Sequence, residues 1–350
     1  MCLVPRYINY RGAIREALHQ EMERDDSVFT YGIDVADHKR IFGTTDGLLE
    51  EFGAKRCFST PLSEDAMTGF GLGAAINGLR PVHVHMRVDF LLLAMNQLAN
   101  MVSSYHYGSG GTLSVPLVIR AIIGRGWGQA YQHSKSMHSV FAHIPGLKVV
   151  MPSTSHDAKG MLIAAIRDDN PVLFIEHRWL YDAQGEVDED SYIVPLEGSS
   201  LLREGSNITV ISTSWMNVEA IKAAEIMSKR GMSAEVIDAR SISHFDVDMM
   251  AKSIIKTGRC VIADNDWLTC GFSAELIAQL TEKCFRYLKA PISRIGFEFT
   301  PCPCTRPLEN AFYPNAINIV RGIEKQLDLS ETDLSGEDFY SYENKFKGPF

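Results

Sequence analysis

The sequence predicts an α/β protein of two doubly wound domains with mostly parallel sheets. Three observations carry the prediction. The chain has 350 residues, enough for about two domains of roughly 100–200 residues each. Short β-branched runs alternate with helical periodicity along nearly all of it. One acidic, apolar-poor stretch interrupts the alternation and divides it in two. Hydrophobic residues at 45% and charged residues at 22% can fill two cores of ordinary size.

The elements follow in order. Asn9–Arg24 places Ile14, Ala17, Leu18 and Met22 on one face and reads as an amphipathic helix. "VFTYGIDV" (28–35) and the alternating "PVHVHMRV" (81–88) read as strands. "DFLLLAMNQLANMVSSYHY" (89–107) reads as one long buried helix ended by "GSGG". "PLVIRAII" (116–123) is a strand running into the glycine loop "GRGWGQ" (124–129). "LKVVMP" (147–152) and "PVLFIEH" (171–177) are strands around a helix at Ser155–Arg167. After the acidic stretch come the strands "NITVIST", "SAEVIDA", "RCVIAD" and "ISRIGF", with helices at Val218–Arg230, Asp246–Lys256 and Phe272–Tyr287. The expected division is residues 1–185 and 201–328 as domains, 186–200 as linker and 329–350 as a polar tail. That tail either docks on a partner or is disordered.

The totals exclude several classes. A net charge of −9 disfavours broad attraction to nucleic acid or an anionic membrane. No run of 18 apolar residues exists, and the first residues lack the features of a secretory signal. The expectation is a cytoplasmic protein, or one in a compartment reached after removal of a leader. Seven scattered cysteines suit reduced thiols better than a disulfide framework. The one tight pair, Cys302 and Cys304 in "PCPC", lacks flanking ligands for a metal and is expected in a proline-stiffened loop.

Chemistry concentrates at "TPLSEDAMTGFGLGAA" (60–75). The stretch opens as a helix start with Glu64 and Asp65 and then runs into Gly and Ala. "GFGLGA" resembles a dinucleotide fingerprint but follows a helix start rather than a strand, so its context fails. Glycine costs about 1 kcal/mol per helical position relative to alanine. Ala66, Gly69 and Gly73 at helical spacing therefore imply a compensating close approach by another backbone, as at a subunit interface. "GRGWGQAYQHSKS" (124–136) does follow a strand, and reads either as a functional loop carrying His133 or as a mobile loop with a surface histidine.

These runs, with "GLRPV", "DFLLLAMNQLANMVSSYHYGSGG", "QHSKSMHSVFAHIPGLKVVMPSTSHDAKGMLIAAIRDDNPVLFIEH", "SIIKTGR", "RIGFEFTPCPCTR" and "FYPNAINIV", resemble the beta subunits of the two-subunit, thiamin-diphosphate-dependent 2-oxo acid dehydrogenases over nearly the whole chain. That family, with pyruvate, branched-chain and acetoin types, is transketolase-like. "GRGWGQ", "QHS" with "FAHIPGLKVV", and "FIEH" look closest to the acetoin branch.

The resemblance implies a pyrimidine-binding domain followed by a transketolase C-terminal-like domain. It implies that the Glu64 carboxyl hydrogen-bonds N1′ of the aminopyrimidine and favours the imino tautomer that deprotonates the thiazolium carbon. A buried acid suits that work, because desolvation raises a carboxyl pKa, although a helix start favours the anion. Phe90 matches an aromatic stacked on the pyrimidine. Leu62 and Met86 match pocket-lining positions, which as core side chains would look the same. His133 matches a histidine that stabilises or protonates intermediates, and histidine is the side chain that titrates near neutrality. "AAIRDDNP" resembles a potassium loop, with Leu117, Ala165, Ile166, Asp168 and Asn170 supplying oxygens; a capped helix end is the other reading.

The Gly-Asp-Gly…Asn motif that holds diphosphate and Mg2+ in this family has no counterpart here. The resemblance therefore implies an alpha subunit carrying that half-site, in an alpha2-beta2 heterotetramer that passes an acyl unit to lipoyl-lysine of an acyltransferase. A two-subunit carboligase without a lipoyl partner is the alternative. Departures from the family pattern are Ile33 and Asn96, where acids are usual, and "SKSMHS" after His133, which is expected to place Lys135 and His138 near the mouth of the site.

Overall fold

The computed structural model describes residues 5–124 and 128–339. They form two compact units: 5–124 with 140–196 and 241–244, and 128–139 with 197–240 and 245–339.

The first unit contains strands β1 (Tyr7–Asn9), β2 (Val28–Gly32), β3 (Cys57–Ser59), β4 (Arg80–His85), β5 (Val118–Ile123), β6 (Lys148–Val150), β7 (Val172–His177) and β8 (Gln184–Glu186). Six of them make one sheet, β3-β2-β4-β5-β7-β6, parallel throughout. Strands β1 and β8 pair apart from it as an antiparallel ribbon. Every residue of β2, β5 and β7 is buried, as a parallel sheet covered on both faces requires. The first helix, Tyr10–Arg24, buries Ile14, Ala17, Leu18 and Met22 as its periodicity predicts, and packs on the helix Ser155–Arg167. Glu21 is buried there too, its carboxylate taken by Arg24 and Arg167.

The expected single helix over 89–107 is instead four short pieces. They are an α-turn at Val88–Leu91, a 3-10 turn at Leu92–Ala94, a π-helix at Asn96–Val102 and an α-turn at Tyr105–Gly108. The widened turn is visible in the Ser103 N–H, which donates across five residues to the Leu98 carbonyl at 3.1 Å. Leu91, Ala94, Leu98 and Val102 all remain buried, so the apolar stripe survives the change of winding that periodicity alone does not report.

Gly146 is required by this segment. It has φ +86°, and a Cβ there would lie 2.1 Å from the Ser103 carbonyl oxygen. Backbone cannot yield as a side-chain tip does. Gly146→Ala should therefore destabilise the chain by about 1–3 kcal/mol, read as a lowered denaturant midpoint with unchanged slope.

The second unit contains β9 (Ser200–Arg203), β10 (Ile208–Ser212), β11 (Ala234–Asp238), β12 (Cys260–Trp267) and β13 (Ser293–Phe297). Their order is β13-β12-β10-β11-β9, parallel except for the edge strand β9. Helices Trp215–Ser228, Val247–Thr257, Phe272–Cys284 and Ala316–Leu327 accompany them. Val210, Val236 and Val261 of the sheet join Met216, Ala220, Ile319 and Ile323 in one core.

Two stretches behave differently from expectation. Within 186–196, Val187, Val194 and Leu196 are buried in the first unit. The buried Lys159 ammonium donates to the carbonyls of Asp188, Glu189 and Asp190 at 2.6, 2.9 and 2.9 Å and pairs with Glu16 at 2.6 Å. Buried ammonium requires such partners, and this one straps the acidic stretch down. Residues 329–339 fold back on their own domain: Leu329, Leu334 and Phe339 pack on the core, and the Glu337 carboxylate accepts from Lys222 and Lys229. This part of the tail is thus ordered against its own domain. Residues 340–350 lie outside the described residues, as do 125–127 of the glycine loop. Among the described residues no helix is long and apolar enough to cross a membrane.

Candidate active site

In the first unit the chain enters the sheet at β2, moves outward to β3, then crosses back to β4 on the other side of β2. This reversal is a topological switch point, where ligands of open parallel sheets bind beyond the carboxyl ends of the strands. The segments leaving those ends carry the expected residues: Leu62 and Glu64 follow β3, Met86 and Phe90 follow β4.

Glu64 is the first residue of the helix Glu64–Ile76. Its carbonyl accepts from Thr68 Oγ1 at 2.8 Å, while its carboxylate has no partner among the described residues. The expected burial of this acid is not provided by the chain alone, which leaves Glu64 half-buried. Leu62 is 79% exposed, and Met86 and Phe90 are half-buried. Leu62 is thus not a core side chain. An unpartnered carboxylate with the exposed Leu62 on its own segment, and the half-buried Met86 and Phe90 on the segment after the neighbouring strand, fits a flat, polar-edged ring such as an aminopyrimidine, which would cover the apolar groups and meet the acid. Along the same helix a Cβ at Gly71 would stand 2.2 Å from the Tyr31 hydroxyl, whereas one at Gly73 would meet nothing within 4 Å. Gly71 therefore serves the chain's own packing, and Gly73 leaves open space.

Beneath this helix lies a cluster that sequence reading passed over. His83 and His85, two apart on β4 and so on one face, are both buried. The Tyr31 ring stacks on His83 at 4.4 Å and 7°. Thr68 Oγ1 lies 3.5 Å from His83 Nδ1 and 3.4 Å from His85 Nε2. Burial drives both imidazoles down, His85 to about 3, so they are neutral at physiological pH. The alternating His-Val-His was the available signal.

The oxygen-bearing residues of "AAIRDDNP" gather at the other end of the same sheet, before the interior strands β5 and β7. The Leu117 carbonyl accepts from Val172 N–H at 3.0 Å, and the Ala165 carbonyl from Asp168 N–H at 3.3 Å. Arg80 donates to the carbonyls of Ile166 and Asp168, both at 3.0 Å. Lys148 holds the Asp168 carboxylate at 2.6 Å, and the same carboxylate accepts from the Asn170 N–H at 2.8 Å. The Lys148 pairing and these hydrogen bonds outweigh burial and keep the Asp168 carboxyl below its ordinary range. Each carbonyl retains a second lone pair, so a potassium ion would share this corner with Arg80.

In the second unit, His133 follows the 3-10 turn Ala130–Gln132 and is half-buried, its Nδ1 3.3 Å from the Gln129 carbonyl. Lys135 donates to the Tyr131 carbonyl at 2.6 Å and lines a cleft with Tyr131, Trp267 and Phe299. His138 does not stand at the mouth of a site, as its sequence position suggested. It is fully buried, with Nε2 3.0 Å from Asp264 Oδ1. Cys302 is buried and Cys304 exposed, in an irregular stretch before the helix Arg306–Phe312.

Comparison with known proteins agrees with this arrangement. Residues 6–184 match the family described as "Transketolase, pyrimidine binding domain", and residues 198–319 match "Transketolase, C-terminal domain". The "Acetoin:2,6-dichlorophenolindophenol oxidoreductase subunit beta" of Cupriavidus necator is 38% identical, the alignment covering 92% of this chain and 98% of that protein. The "Pyruvate dehydrogenase E1 component subunit beta" of Rickettsia bellii is 37% identical, covering 91% and 98%. A solved structure, "Split gene transketolase, inactive beta4 tetramer", shares the fold with a TM-score of 0.73 at 19% identity, covering 93% of this chain and 99% of that one. With both domains matched and such relatives aligned along nearly their full lengths, the chain belongs to the transketolase-like beta subunits of the thiamin-diphosphate-dependent 2-oxo acid and acetoin dehydrogenases.

Proposed function

We propose that this chain is the pyrimidine-side half of an alpha2-beta2 enzyme that decarboxylates a 2-oxo acid or cleaves acetoin. The acyl unit then passes to lipoyl-lysine of an acyltransferase. The observation that carries the reading is the unpartnered Glu64 carboxylate at the switch point, on the segment after β3 that also bears the exposed Leu62, with the half-buried Phe90 on the segment after β4. Bound thiamin diphosphate supplies an electron sink at its thiazolium carbon; Mg2+ and the diphosphate belong to the alpha subunit.

The residues of this chain bind, orient and move protons. Phe90 and Met86 would hold the pyrimidine ring, and Leu62 would help keep water from it. Glu64 shares a proton with N1′, which requires its carboxyl to be dried by the cofactor and the partner subunit. His133 handles a proton near the reacting carbon. Potassium at the Leu117–Asn170 corner would have a structural role only, since those residues precede β5 and β7, at the end of the parallel sheet opposite to the one where the chain leaves β3 toward Glu64.

Affinity purification from the native cell tests the reading. Recovery of an alpha-type thiamin subunit with a lipoylated acyltransferase is expected. An alpha subunit without any lipoyl protein would shift the assignment to a carboligase, and absence of an alpha subunit would overturn it. His133→Ala should slow turnover about 10²–10⁴-fold with cofactor affinity preserved. Unchanged single-turnover kinetics would return His133 to a surface histidine.

A further inference from the structure

We propose that the buried triad His138, Asp264 and Asp266 positions the segment carrying His133, with His138 as a positioning residue; the inference rests on the proton-handling role assigned to His133 above.

Residues 128–137 hold one 3-10 turn before the short helix His138–Ala142 opens, and two non-glycine residues take left-handed conformations, Ala130 at φ +53° and Met137 at φ +52°. Such backbone persists only where its surroundings over-determine it. Three tethers do so. The Tyr313 hydroxyl donates to the Ser134 carbonyl at 3.1 Å. Ser139 Oγ donates to Asp266 Oδ2 at 2.6 Å. His138 Nε2 lies 3.0 Å from Asp264 Oδ1 and 3.8 Å from Asp266 Oδ2.

The last tether carries charge. Asp264 and Asp266 stand two apart on β12, which loses its regular pairing with β13 between Ala263 and Trp267. Thr213 Oγ1 donates to Asp264 Oδ1 at 2.7 Å, and the Phe272 ring meets His138 edge-on at 6.1 Å. Among the described residues no lysine or arginine reaches either carboxylate, so the imidazole is their one cationic partner. Burial acts to lower the His138 pKa, but Asp264 and then Asp266 reverse it and push it up to about 9. Asp264 is correspondingly held down, while burial keeps Asp266 raised. Because the folded pKa lies above the ordinary histidine value of about 6.5, the tether is fully present below that pH. It is lost as pH rises through about 9.

The test uses the full chain assembled with its alpha subunit, comparing wild type with His138→Gln, Asp264→Asn and the milder Asp266→Asn. Hydrogen exchange of residues 128–139 should quicken at least about tenfold in His138→Gln at pH 7, and in wild type above pH 9. Turnover should fall about tenfold to a hundredfold, the scale of a small misplacement of a reacting group. The alkaline limb of the kcat profile should disappear in His138→Gln, with KM moving less than kcat. Lower thermal stability without faster exchange in this segment and with the pH limb intact would make the triad structural only and overturn the proposal. So would a stoichiometric divalent metal that Asp264→Asn removes, since the three donor atoms lie within 4.8 Å of one another. If His138→Gln fails to assemble, the two aspartate variants decide. His133→Ala with unchanged kinetics would sink the reading of His133; His133→Ala slow but exchange unmoved in His138→Gln would sink the positioning role alone.

Discussion

Glu64→Gln, assembled with the alpha subunit, should lose about 10²–10⁴-fold in turnover while the complex still forms and still binds thiamin diphosphate. The amide keeps the size and one acceptor of the carboxyl but cannot give up or take back a proton. Among the described residues nothing uses the Glu64 carboxylate for folding: it has no partner there, and only its carbonyl is engaged, by Thr68. The substitution thus separates chemistry from assembly more cleanly than most. The N–H donors at a helix start favour the anion, so the proton shared with N1′ depends on drying by cofactor and partner. Turnover near that of wild type would remove Glu64 from the site, and loss of assembly would make it an interface residue instead.

The largest effect on stability is expected at Glu176. Arg120 on β5 and Glu176 on β7 are diagonal neighbours on one face of the sheet, Arg120 standing opposite Phe174 and Glu176 opposite Ile122, and both are fully buried. Arg120 Nε donates to Glu176 Oε1 at 2.5 Å and Nη2 to Oε2 at 3.0 Å, with Nη2 also reaching Thr44 Oγ1 at 2.9 Å. The Tyr181 hydroxyl donates to Oε2 at 2.9 Å, and burial beside that carboxylate holds the phenol well above its ordinary range. Glu176→Gln would leave a guanidinium inside the sheet without its counter-charge, costing about 3–5 kcal/mol. Replacing both partners by apolar residues, Arg120→Met with Glu176→Leu, should recover most of that loss, because desolvating the pair offsets much of its attraction. Denaturant midpoints of the two variants decide the matter. A double variant as unstable as the single one would mean that Thr44 and Tyr181, left unpaired, dominate.

Periodicity predicted these buried strands well, because a strand covered on both faces is a continuous apolar run whatever its neighbours. "PLVIRAII" and "PVLFIEH" fall on β5 and β7 almost residue for residue. Even so, one arginine and one glutamate inside those runs gave no warning that they meet. Pairing between strands is a property of sheet order, which local pattern does not contain. The three-residue β3 and the edge strand β9 were too short to stand out from turns, and β9 starts inside the stretch read as linker. The helix Ala316–Leu327 was legible in Ala316, Ile319, Val320 and Ile323 and was nonetheless missed. At the site, the helix start brought out Glu64 and Asp65 alike, and only the family resemblance singled out Glu64. His138 was misplaced because its carboxylate partners lie 126 and 128 positions further along the chain, at Asp264 and Asp266.

The membership of residues 128–139 in the second unit bears on how this gene can be divided. A cut after residue 196 would separate the two matched domains by sequence, yet it would leave the C-terminal fragment without a stretch of its own interior. Asp264 and Asp266 would be left buried together with no imidazolium between them, and Tyr313 would lose its acceptor. Expression of the C-terminal half as a contiguous fragment should therefore yield insoluble or partly folded material. A circular permutant or a split joined by co-expression at residue 196, which keeps 128–139 available in trans, is the form in which the second unit can be studied intact.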